Sequence, residues 1–160
     1  MGATSPLPRG TRSDPDLRLR VFAGEKRRVP EARAFVALAL AGCPARETLL
    51  TCVSELAANA VSHTSSGAGG MFTVEVIRPA DGVAIVAVTD AGSPREPSVR
   101  HADALAEGGR GLALVDALAS SWGHHQAIGG GRTVWAEATW PVAVPASASA
   151  ATSAATSASS

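Results

Sequence analysis

The sequence is poor in the features that mark several large protein classes. Aromatic residues make up 4% of its 160 residues, and tyrosine is absent. The two cysteines, Cys43 and Cys52, match no metal-ligand spacing, so we expect ordinary reduced thiols. No apolar run is long enough to span a membrane, and the N terminus has no signal-peptide core. These absences predict a cytoplasmic protein with no membrane partner.

The sequence also has no excess of positive or negative charge. Lys+Arg and Asp+Glu are equal at 14 each, so no global field favours direct contact with nucleic acid. Hydrophobic residues make up 46% of the chain, and the mean hydropathy is +0.14, which is enough apolar material for a core. We expect one domain over residues 17–141. Low-complexity composition predicts disordered tails at 1–16 and 142–160.

The periodicity of apolar residues alternates between that of strands and that of helices. It predicts a strand at Leu17–Val21, helices from Pro30 to about Leu40 and from Arg46 to His63, strands at Met71–Arg78 and Val83–Thr89, a helix at Gly111–Ser120, and a hairpin of Trp122–Ile128 with Thr133–Trp140. This order favours an α+β fold, a two-layer sandwich in which a mixed, mostly antiparallel β-sheet carries helices on one face.

A polar stripe on the second helix is the first candidate for a site. Glu55, Asn59 and His63 follow each other at helical spacing, away from the apolar stripe. A solvated face would explain such a stripe, but the neighbouring side chains are small, whereas solvated faces usually carry longer charged ones. The alternative is functional: a carboxylate that deprotonates a nucleophile and an amide oxygen that ligates a hard cation.

Two further candidates follow along the chain. Asp90 and Gly92 end a strand, and this pattern indicates either a turn or a carboxylate that accepts a hydrogen bond from an adenine amino group. The glycine-rich run from Gly108 to Gly111 opens the next helix. It is either a hinge or a close approach of backbone N–H groups to phosphate, to which Arg110 adds a charge.

The order of these motifs carries more information than any one of them. SELAANAVSHT, then DAG, then GRGLALVDALASSWG and GGGRTVWAE resemble the signatures of the GHKL ATPase superfamily, whose fold is also called the Bergerat fold. More narrowly, the sequence resembles the anti-sigma factor serine/threonine kinases of the RsbW/SpoIIAB type, in particular their short actinobacterial relatives. The resemblance covers roughly residues 17–140.

The resemblance implies ATP and Mg²⁺ as ligands and gives the matching residues roles. Asn59 would ligate Mg²⁺ and Glu55 would be the catalytic base. The residues that would contact nucleotide are Asn59, Asp90, Gly92, Gly109, Arg110, Gly111, Leu112 and Thr133, with Asp90 and Thr133 at the adenine end and the glycine run at the phosphates. The loop from Ser93 to Gly108 would be a lid.

The resemblance also implies partners. The γ-phosphoryl group would pass to a serine of a STAS-type anti-anti-sigma protein, a sigma factor would be a second partner, and the chain would form a homodimer to which Leu17–Phe22 or the first helix contributes. Three alternatives stay open. The first is an ATP-binding regulator that sequesters a partner without phosphorylating it. The second is a sensor histidine kinase, which would need a helical phosphoacceptor hairpin that we do not expect residues 1–16 to form. The third is a plain structural domain.

Overall fold

A computed structural model describes residues 16–63, 69–91 and 108–143. The strands are β1 (Asp16–Ala23), β2 (Met71–Ala80), β3 (Val83–Asp90), β4 (Ser121–Gln126) and β5 (Arg132–Thr139), and the helices are α1 (Val29–Ala39), α2 (Arg46–His63) and α3 (Gly108–Leu118), with a 3-10 turn at Lys26–Arg28. All but three residues of the predicted tails lie outside the described residues, so their disorder stays a prediction.

The five strands form one sheet in the order β1-β2-β3-β5-β4. Each of the four described ladders is antiparallel, so the sheet is not mixed as the sequence suggested, while the predicted α+β class with a mostly antiparallel sheet is confirmed. β3 lies at the centre, as its continuous apolar sequence predicts. Strand β1 and strand β4 are the edges.

The core lies between the helices and one face of the sheet. Side chains at alternate positions of β2, β3 and β5 are buried on this face, which we call the helix face; they are Phe72, Val74, Val76, Ala84, Val86, Val88, Ala136 and Ala138. From α2, Leu49, Val53 and Leu56 pack against them and are no more than 2% exposed. Each such burial contributes roughly 1.5–3 kcal/mol, so α2 is anchored along its length.

Side-chain contacts fasten α1 to α2 and to the sheet. The guanidinium of Arg33 donates to the carbonyl oxygen of Leu50 at 2.9 Å and to the hydroxyl of Ser54 at 3.0 Å. Phe22 of β1 stacks on Phe72 with ring centroids 5.4 Å apart, and it meets Phe35 of α1 edge to face at 6.2 Å. These contacts hold α2 in a fixed position over the central strands.

The opposite face of the sheet, which we call the open face, has no described helix over it. Leu17, Leu19, Val21 and Met71 are each about half exposed there, in register with the outward residues of neighbouring strands. None of the three described α-helices has the length and continuous apolar sequence that a membrane crossing requires. Cys43 and Cys52 are both buried and free.

A short turn joins β2 to β3. β2 continues through Pro79, where the register with β3 shifts between Ile77 and Ala80; an inner strand tolerates proline at such an irregularity. Only Asp81 and Gly82 then remain for the turn, and Gly82 has a φ of 81°, which glycine adopts at little cost. The four residues PADG between Arg78 and Val83 have the composition of a turn, but the turn is confined to the last two of them.

Candidate functional site

The site begins on α2, whose buried stripe fixes which side chains point away from the sheet. Glu55 and Asn59 are one turn apart and only partly exposed, unlike residues of a fully solvated face. The small residues Ala58 and Ser62 lie beside them and leave room. The structure therefore brings the predicted base and the predicted cation ligand together.

Glu55 lies against the first turn of α3. A Cβ atom built on Gly111 would come within 2.6 Å of Oε2 of Glu55 and within 3.5 Å of its Cβ. Gly111 is buried, and α3 packs against α2 at this point. Any larger residue at this position would displace the Glu55 carboxylate, so Gly111 is the residue that permits the contact.

The glycine-rich run lies inside α3, which begins at Gly108 and not at Gly111 as predicted. Gly109, Arg110 and Gly111 thus form the first turn, whose backbone N–H groups have no partner within the helix. No acidic residue of α3 itself lies in that turn. Arg110 is exposed, whereas the side chain of Leu112 packs against the core, which leaves only its backbone amide for a ligand.

Asp90 ends β3 on the helix face and is 6% exposed. It lies on the same side of the sheet as Glu55 and Asn59. Its neighbours in the ladders are Phe72 on β2 and Arg132 on β5. Arg132 belongs to the GGGRTVWAE motif, which by itself indicates no role for it. Its position opposite a carboxylate depends on the register of β3 with β5, which no local pattern in the sequence shows.

The turn between β4 and β5 touches the end of β3. A Cβ atom on Gly131 would collide with the backbone carbonyl oxygen of Asp90. The turn itself is closed by a hydrogen bond from the Ala127 amide to the Gly131 carbonyl oxygen at 2.8 Å. Gly131 therefore lets the hairpin pack closely against the strand end that carries Asp90.

Thr133, which we expected at the adenine end with Asp90, lies on the other face of the sheet from Asp90. It lies opposite Thr89 in the ladder, and the two hydroxyl groups are hydrogen-bonded at 2.8 Å. Successive residues of a strand point to opposite faces, so Thr89 and Thr133 lie on the open face and Asp90 lies on the helix face. The structure does not bring the Thr133 hydroxyl together with the Asp90 carboxylate on one face.

Some of the predicted site lies beyond what the structure describes. Gly92 and the proposed lid up to residue 107 lie outside the described residues. His63 is the last residue of α2, but its side chain is also outside them. The described part of the site therefore consists of the α2 polar stripe, the first turn of α3 and the end of β3.

The oxygen atoms of the site favour a hard cation that is bound partly by the protein and partly by the phosphates of a substrate. Within the described ranges, no group of three or more His, Cys, Asp and Glu side chains could hold a metal ion alone. The amide oxygen of Asn59 beside the Glu55 carboxylate fits Mg²⁺, which keeps several waters and binds proteins through few oxygen atoms plus substrate phosphates.

Cys52 lies one turn before Glu55 on α2. Burial raises the pKa of its thiol, and the negative charge of the Glu55 carboxylate raises this pKa further.

A buried carboxylate at a strand end and a glycine-rich helix N terminus lie on one face of an antiparallel sheet, an arrangement that suits the binding of an anionic ligand by an α+β domain. Residues 22–137 match the family described as histidine kinase-like ATPase domain, so the chain belongs to that family. It is an ATP-binding module of the GHKL type, regulatory or kinase in function. The comparison with curated proteins gave no match.

Proposed function

We propose that this chain is a Mg²⁺-ATP-dependent serine/threonine protein kinase of the anti-sigma factor type. Its substrate would be a serine of a STAS-type anti-anti-sigma partner, and a sigma factor would be the protein that it releases or retains. The observation that carries the proposal is that the Glu55 carboxylate lies against Gly111 in the N-terminal turn of α3, which supports Glu55 as the base.

Electrostatics link this contact to a cation. The N-terminal turn of α3 attracts negative charge, and both the Glu55 carboxylate and the phosphates of ATP carry it. Two anionic groups at one helix terminus repel each other unless a cation lies between them. Asn59 supplies a neutral oxygen ligand one turn along α2 from Glu55. When bound, Mg²⁺ would neutralise phosphate charge and orient the transferred group.

The remaining candidate residues would bind the nucleotide. Asp90 would accept a hydrogen bond from the adenine amino group, because its carboxylate is buried on the helix face at the end of β3. The amides of Gly109, Arg110 and Gly111 would hold phosphate. Thr133 would act indirectly, through its bond to Thr89, the residue before Asp90. Phosphoryl transfer depends mainly on positioning, so the partner needs to supply only a hydroxyl group.

The test separates catalysis from binding. We expect Glu55→Gln to bind Mg²⁺-ATP but to transfer the labelled γ-phosphoryl group to a STAS-domain partner about 10²–10⁴-fold more slowly, which is the usual contribution of a general base. Asn59→Ala would instead weaken Mg²⁺-ATP binding in calorimetry. Glu47→Gln is the matched control, because Glu47 is exposed at the start of the same helix.

Two outcomes would contradict the proposal. Transfer at the wild-type rate by Glu55→Gln would remove Glu55 as the base. Saturable ATP binding with no transfer to any STAS-domain protein tested would favour the alternative, in which the chain is a catalytically inactive ATP-binding regulator that acts by sequestering its partner.

A further inference from the structure

The open face carries a groove that shares only Thr133 with the residues assigned to the nucleotide site. Its volume is about 320 Å³, and its lining includes Glu75, Ile85, Ala87, Trp135 and Glu137. Glu75, Ala87 and Trp135 are direct neighbours across β2, β3 and β5. Asp90 and the polar stripe of α2 lie on the other side of the sheet, so the groove is a separate feature of the molecule.

The groove exists because of two small residues. Ala87 lies between Glu75 and Trp135 and leaves a low floor. Gly123 on β4 lies opposite Trp135, and a Cβ atom there would come within 2.9 Å of the indole ring. The indole therefore covers Gly123 and forms one wall of the groove. Ile77 and Ile85 extend the apolar floor toward the exposed Leu17 of β1.

The charge around this apolar floor has one sign. Glu75 on β2 pairs with Ala87 and Glu137 on β5 pairs with Ile85, so the two glutamates flank β3 on a diagonal, two strand spacings and two residues apart, roughly 12 Å. Among the described residues of the open face there is no lysine or arginine, and His125 is the only side chain there that could become cationic. The arginines of β1, Arg18 and Arg20, alternate onto the helix face.

We infer that this groove is a docking site for an amphipathic helix of a partner protein that presents arginine or lysine beside an apolar stripe. The aliphatic part of the cationic side chain would lie over Ile85 and Ala87, which would shield it from water. Its charged end would lie between the carboxylates of Glu75 and Glu137 and over the Trp135 indole, which attracts cations. Leu17 and Leu19 would contact the apolar stripe.

Charge argues against a second copy of this chain as the occupant. Two open faces packed together would place the carboxylates of both copies in one interface, with no arginine or lysine from the described open-face residues to neutralise them. A cationic helix meets the same face with opposite charge and apolar contact, which favours it over self-association.

The test uses two fluorescently labelled helical peptides with the same leucine stripe, one flanked by arginine and the other by glutamate. We expect the arginine peptide to bind, to bind more weakly at high ionic strength, and to change the tryptophan emission, to which Trp135 contributes, while the glutamate peptide does not bind. The double variant Glu75→Gln/Glu137→Gln should bind the arginine peptide about tenfold more weakly. Glu47→Gln, which lies on the helix side, should bind as the wild type does.

Folding is checked by ATP binding, which the double variant should retain because its substitutions are on the other face. Equal affinity for the two peptides, or wild-type affinity in the double variant, would overturn the proposal. Sedimentation of the protein alone gives an independent measurement: a dimer that Ile85→Lys dissociates would assign the groove to a second copy instead.

Discussion

Gly111→Ala tests the contact at the centre of the proposed site. The added methyl group would lie 2.6 Å from Oε2 of Glu55, whereas ordinary contact begins near 3.4 Å, so the oxygen must move by about 0.8 Å. Movement is easy, since the atom ends a flexible side chain. Alanine also favours the helix over glycine by up to about 1 kcal/mol. We therefore expect the Tm to stay constant or to rise by a few degrees.

Activity should respond in the opposite direction. A misplacement of about 1 Å of a catalytic group costs on the order of 10²-fold in rate, so Gly111→Ala should transfer phosphoryl groups about 10²-fold more slowly while it still binds Mg²⁺-ATP. Single-turnover transfer and calorimetry measure the two quantities separately. The Glu55→Gln background supplies the control: if Gly111→Ala acts by moving the Glu55 carboxylate, it should slow that variant little further.

Three results would refute this reasoning. A wild-type transfer rate in Gly111→Ala would show that the position of the Glu55 carboxylate does not depend on this contact. A fully additive loss in the double variant would show that Gly111 acts independently of Glu55. A large drop in Tm would show that the glycine is required by the fold.

Three further predictions concern charge, packing and protonation. Glu55→Gln should raise the affinity for ATP in the presence of a chelator about fivefold, because removing one of two repelling anionic groups is worth about 1 kcal/mol; calorimetry that shows no change would place the carboxylate away from the phosphates. Gly131→Ala should lower the free energy of unfolding by about 1–3 kcal/mol in urea titrations, since the new methyl group collides with rigid backbone at Asp90; unchanged stability would mean that the turn can move away. Burial raises the pKa of Cys52 above its ordinary value of 9.0, so the thiol ionises at lower pH in the unfolded chain than in the folded one. The free energy of unfolding should therefore fall above about pH 9, by at most about 1.4 kcal/mol per pH unit. Cys52→Ala should lack this contribution, and identical pH profiles of the variant and the wild type would contradict the prediction.

Local patterns predicted most of the elements because each depends on periodicity. The bounds of α2 from Arg46 to His63 follow from its apolar stripe, and the structure has the same bounds. The start of α3 was predicted three residues late, because glycine is a poor helix former and its intrinsic preference argues for a loop. Packing of the first turn against Glu55 outweighs that preference.

Contacts between distant residues could not be predicted in the same way. Thr133 was expected at the adenine end together with Asp90, yet the face of a strand residue depends on ladder register, and a shift of one residue exchanges the faces. Arg132, one position earlier, is the residue that lies opposite Asp90. The Glu55–Gly111 contact likewise depends on how α3 packs against α2, which the spacing of either helix alone does not determine.

The strict alternation along β5 makes the length of the preceding turn a constraint on the whole molecule. β5 sends Val134, Ala136 and Ala138 into the core and Thr133, Trp135 and Glu137 to the open face. Adding or removing one residue between β4 and β5 would bury a carboxylate and an indole under α2 and expose the core positions. Natural variation in this turn should therefore change which residues it contains far more readily than how many.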